Sequence, residues 1–117
     1  MPGLLEPFPS VKLPNAALAV VEPEKITDYL LNPNHRFGAS KARFFIAFGF
    51  GPGAWEVLAE AFRRHALENE VGRTKEPPFG PRYEVDGPLL APDGRAPFDI
   101  TVWQMDHGEI APRLITS

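Results

Sequence analysis

Within positions 35–41 the chain places His35, Arg36, Gly38, Ser40 and Lys41. An imidazole exchanges protons near neutral pH, and guanidinium and ammonium groups hold anions by charge-assisted hydrogen bonds. Gly38 permits backbone angles that other residues avoid, and Ser40 has a hydroxyl suited to capping the free amides of a helix that begins near Lys41. A helix N-terminus flanked by cations is a physical recipe for an anion site. The candidate substrate-binding residues are therefore Gly38 and Ser40, beside the chemically active His35 and Lys41.

On a helix starting near Ser40, Lys41 falls on the same stripe as Phe44, Phe45 and Phe48. Its stem either snorkels over the core, the simpler reading, or its ammonium sits in a semi-enclosed cleft. Arg43 points away and reads as solvated surface.

The elements that must position these groups follow from punctuation and period. A first helix begins at Pro23, with Glu22 and Glu24 at its positive end, and Asn32-Pro33 closes it. A second helix over about 40–48 ends in the glycine-rich break 49–53, and a third covers about 54–69. On the third, Trp55, Leu58, Phe62, His65 and Ala66 share one face, so His65 reads as a packed imidazole with one hydrogen-bond partner. Short strands are predicted over 71–75, 82–86, 98–104 and 112–115, separated by turn signals. Tyr83 and Val85, with Phe98, Ile100 and Val102, are expected to face the core, which turns Thr101 and Trp103 to the other side. Trp103 is then either an isolated surface residue, the simpler reading, or a platform for a flat ligand, and His107 is a turn residue. Helices first and a strand meander afterwards predict an α+β fold, with the N-terminal helices on one face of a roughly four-stranded antiparallel sheet.

Composition bounds the rest. A chain of 117 residues with 44% hydrophobic content suits one domain over 11–117, preceded by an extended arm over 1–10 that holds three prolines. With no cysteine and three histidines at no zinc-like spacing, neither a disulfide, a metal site nor a cofactor is expected. No export signal or spanning segment is visible, so a soluble, cytoplasmic protein is expected. A formal charge of -3 argues against extended nonspecific nucleic-acid binding, but not against a compact anion held by a few local cations.

The stretch YLLNPNHRFGASKARFF, the tryptophan-bearing third helix and the ending PRLIT resemble a small, largely uncharacterised bacterial domain family, over nearly everything from Lys12 to Thr116. Its members occur alone and as the C-terminal module of large polymorphic toxins. More distantly, the arrangement looks like the barnase, EndoU and colicin group of metal-independent ribonucleases, an analogy at the level of fold. The resemblance implies a catalytic set of His35, Lys41, Arg113 and Thr116, and RNA cleavage by attack of the ribose 2'-hydroxyl on the adjacent phosphate. His35 would move a proton, Lys41 and Arg113 would hold the phosphate, and Thr116 would orient an oxygen. Arg113 and Thr116 share a strand face only if a bulge or the strand end intervenes. Two departures touch this site: Arg36 stands where the family pattern has proline, and the sequence stops at Ser117 where relatives continue. The competing expectation is a noncatalytic module with the same fold that binds a protein partner. RNA and a protein inhibitor are the partners implied, with no membrane.

Overall fold

The computed structural model describes residues 11–117, so the arm expected over 1–10 lies outside the described residues. A short 3-10 turn, Ala16–Leu18, leads to Val20, which makes an isolated parallel bridge to Arg113. Helix α1 starts at Pro23, where a missing amide costs nothing, and joins the α-helical turn Pro23–Lys25 to a π-helical turn, Ile26–Leu30. Helix α2 is Ala39–Ala47 and α3 is Trp55–Glu68. Four strands follow, β1 (Glu70–Lys75), β2 (Arg82–Pro88), β3 (Phe98–Gln104) and β4 (Arg113–Thr116). They form one antiparallel sheet in the order β1-β2-β3-β4, so this is an α+β meander with its helices toward the N-terminus.

The core lies between the helices and one sheet face. Ile26 and Leu30 of α1, Phe45 of α2 and Leu58, Phe62 and Ala66 of α3 meet Val85, Trp103 and Leu114 of the sheet, all of them buried. Phe45 packs edge-on against Phe62 with ring centroids 5.6 Å apart, a favoured aromatic geometry.

Strand β3 faces the opposite way to the sequence expectation. Thr101 and Trp103 are buried, whereas Phe98 and Ile100 are exposed, so Trp103 is neither a surface residue nor a platform. The register explains the facing: Val85 pairs with Thr101 and Tyr83 with Trp103, and paired residues share a face. A hydroxyl can occupy the core there because the Trp103 indole donates to Thr101 Oγ1 at 2.8 Å and His65 Nδ1 lies 2.9 Å from the same oxygen. His65 Nε2 lies 3.0 Å from both Gly87 O and Asp99 O, so the packed imidazole has three partners rather than one.

A bulge does interrupt β4. Val102 pairs with Thr116 and Trp103 with Leu114, which leaves Ile115 as the extra residue.

Candidate functional site

The bend between α1 and α2 is built by side chains that satisfy its backbone. Asn32 Oδ1 accepts from the Asn34 amide at 3.0 Å, and Asn32 O accepts from the His35 amide at 3.1 Å. His35 Nδ1 then accepts from the amides of Phe37 and Gly38, each at 2.9 Å. The imidazole thus satisfies two amides of the bend that precede the helix, and the cap expected of Ser40 is not made: Ser40 is exposed at the second helical position and the helix start has no side-chain cap bond. Gly38 is required for a different reason from the one its sequence position suggests. Its φ is an ordinary -99°, but a Cβ would lie 2.6 Å from both the carbonyl oxygen and Cδ1 of Tyr29.

That close approach brings α1 and α2 to the end of the sheet. Lys41 Nζ donates to Thr116 Oγ1 at 2.9 Å and to Ser117 O at 2.7 Å, while the Tyr29 hydroxyl lies 3.1 Å from the same threonine oxygen. Lys41 is half-buried with its ammonium turned into the cleft, so the snorkelling reading fails here. The Tyr29 ring stands 4.9 Å from the His35 ring, with Lys41 Nζ 5.6 Å and Lys25 Nζ 6.0 Å from its centroid. Burial opposes ionisation of the Tyr29 phenol, but the Thr116 hydrogen bond and the nearby charges of Lys41 and Lys25 outweigh it and hold the phenol below its ordinary value.

Two cavities open around this cluster. One of about 530 Å³ is lined by Glu22, Glu24, Lys25, Tyr29, His35 and Phe37. The other, about 270 Å³, is lined by Ser40, Lys41, Phe44, Phe45, Asp99 and Ser117. In the second, the Ser117 hydroxyl donates to Asp99 Oδ2, and burial pushes the Asp99 carboxyl above its usual range despite Ser117, His65 and Lys41 nearby.

The fold thus gathers His35, Gly38, Lys41 and Thr116, with Ser40 on the rim, and leaves two other candidates out. Trp103 is buried in the core, and Arg113 lines neither cavity because its Nε donates to Asp106 Oδ2 at 2.9 Å. That hydrogen bond, with the charges of Asp106 and Glu22, raises the Arg113 guanidinium above its usual range. Sequence reasoning missed Tyr29, Lys25, Glu22 and Glu24 as lining groups. Tyr29 sits at helical spacing from Ile26 and reads as core, and only its hydroxyl hints at a polar partner.

Among the described residues no group of three or more His, Asp or Glu side chains is placed to hold a metal ion. No described helix is long and apolar enough to cross a membrane.

The sequence matches the Domain of unknown function (DUF6883) over residues 12–117. The chain belongs to that family. No curated protein matches it. The DUF6883 fold is similar to a chain in the solved "Contact-dependent growth inhibition toxin - immunity protein complex from Klebsiella pneumoniae 342". That chain is 21% identical, the match covers 86% of this chain and 92% of that one, and the TM-score is 0.68. At this identity the likeness establishes the fold of this DUF6883 chain and nothing of its chemistry.

Proposed function

We propose that this chain is a toxin-type domain that cleaves RNA without a metal, by attack of a ribose 2'-hydroxyl on the neighbouring phosphorus. The observation that carries the reading is the fastening of His35, Tyr29, Lys41 and Thr116 into one cluster where the α1–α2 bend meets β4. The toxin assignment rests on the fold shared with the growth-inhibition complex, and a protein inhibitor is the partner it implies.

With Nδ1 taken by two amides, the neutral His35 ring carries its proton on Nε2, which donates to a phosphoryl oxygen. Lys41 donates to Thr116, and Thr116 donating to the Tyr29 oxygen leaves the phenol proton facing the cavity. Tyr29, eased toward ionisation by Thr116 and the lysines, protonates the leaving 5'-oxygen. Glu22 or Glu24 on the same cavity takes the proton of the attacking 2'-hydroxyl. Phosphorus gains the 2'-oxygen and loses the 5'-oxygen, and one proton moves at each end. Lys25 and Lys41 offset the added negative charge.

One observation favours a second reading, a noncatalytic module that binds protein. Arg113 is engaged by Asp106, and Lys41 already donates to Thr116 and Ser117, so fewer free cations face a phosphate. Incubation of the protein with transfer RNA and total RNA in a chelator, beside His35→Ala and Tyr29→Phe, separates the two. Cleavage by the unaltered chain and its loss in both variants supports the nuclease. Intact RNA in all three favours the interaction module.

A further inference from the structure

The cavity beside His35 has one wall that the phosphate chemistry does not use. Phe37 lines it and is 72% exposed, the most exposed large hydrophobic residue among those described. Its ring lies 6.2 Å from the His35 ring, and the Arg36 guanidinium sits over it at 5.3 Å from the centroid. A phenyl ring left in water costs free energy that a purely structural role does not require. The bend itself is held by Asn32 and His35, and the Phe37 side chain takes no part in those hydrogen bonds.

The chemistry around Phe37 narrows what covers it. Phe37 offers the cavity it shares with His35 an uncharged π face, so the part of a ligand lying against the phenyl ring is uncharged and flat. Lys25 and Lys41, both within 6.0 Å of the Tyr29 centroid, attract the charged part. A nucleotide has this division: a π-faced base joined through ribose to a phosphate. Aromatic rings and guanidinium planes are the surfaces on which unpaired bases stack.

We propose that Phe37, backed by Arg36, is a stacking platform for one base of single-stranded RNA, the nucleoside whose 2'-hydroxyl attacks at the cluster. This inference rests on the nuclease reading and supplies the flat-ligand platform that Trp103 cannot. It also gives Arg36 a role as the second plane of the stack.

The test is the binding of a fluorescently labelled single-stranded RNA whose 2'-hydroxyls are methylated, so that it cannot be cleaved. Phe37→Ala should weaken binding by about 5- to 150-fold, the range that loss of one base–aromatic stack gives. Phe37→Trp should keep it, and an oligonucleotide lacking the stacked base should bind both proteins alike. Equal binding by Phe37→Ala, or no binding by the unaltered chain as a protein-only module requires, would overturn the platform. Cleavage of the unmethylated RNA is read separately. Binding through Phe37 without cleavage removes the proposed chemistry and keeps the platform, and cleavage unaffected by Phe37→Ala does the reverse.

Discussion

Lys41 Nζ lies 2.9 Å from Thr116 Oγ1, which ties the first turn of α2 to the last residue of β4 across 75 positions of sequence. A hydrogen bond from an ammonium contributes roughly 1.5–3 kcal/mol. The same bond polarises the threonine that touches Tyr29, so one contact serves both the packing of the bend on the sheet and the electrostatics of the cluster.

Lys41→Met keeps the stem and removes the charge. The Tyr29 phenol, held below its ordinary value in part by Lys41, should then titrate at higher pH. Phenolate ultraviolet absorbance as a function of pH reads this directly. An unchanged titration curve would show that the ammonium does not act on Tyr29.

Gly38→Ala should destabilise the protein by about 1–3 kcal/mol, because the added methyl meets the Tyr29 carbonyl oxygen and ring at 2.6 Å. Relief requires α1 and α2 to move apart, so the tyrosine titration should shift as well. Urea unfolding measures the loss, and a variant as stable as the parent would contradict the close approach.

Burial raises the Asp99 carboxyl, so the folded state binds its proton more readily than the unfolded chain does. The contribution of this group to stability therefore falls as pH rises from the unfolded value, about 3.9, through the folded one. Asp99→Asn should melt higher than the parent at neutral pH, with the difference closing in acid. The Asn carbonyl still accepts from Ser117. A variant that melts lower at neutral pH would show that the Lys41 and Ser117 contacts outweigh the burial cost.

Thr101→Val leaves two buried donors or acceptors, Trp103 Nε1 and His65 Nδ1, without their shared partner. Each such loss costs about 1–3 kcal/mol, so this variant should be far less stable than Thr101→Ser. Comparable melting temperatures for the two would mean the hydroxyl is dispensable.

The helices were legible because helical spacing and punctuation agree: Pro23 starts α1, and the stripe through Leu58, Phe62 and Ala66 defines α3. The facing of β3 was not, because alternate positions of FDITVWQ carry apolar groups on both sides. The choice is made by a tertiary network, in which His65 of α3 satisfies Thr101 and allows Trp103 inward. The bend is legible as a cluster of useful groups, but its wiring depends on contacts from elsewhere. Ser40 suits a cap by type, but the helix begins one residue before it, at Ala39, and the His35 ring folding back onto the Phe37 and Gly38 amides has no fixed spacing signature. Arg113 looked available because Asp106, seven residues earlier, lies across a turn whose geometry the sequence does not specify.

The most direct measurement is the chemistry of the RNA ends left by the unaltered chain in a chelator. Attack by the 2'-hydroxyl predicts 2',3'-cyclic phosphate and 5'-hydroxyl ends, no cut at a 2'-O-methylated position, and loss of both products in Tyr29→Phe. Intact RNA, or 5'-phosphate ends formed on methylated substrate, would contradict it.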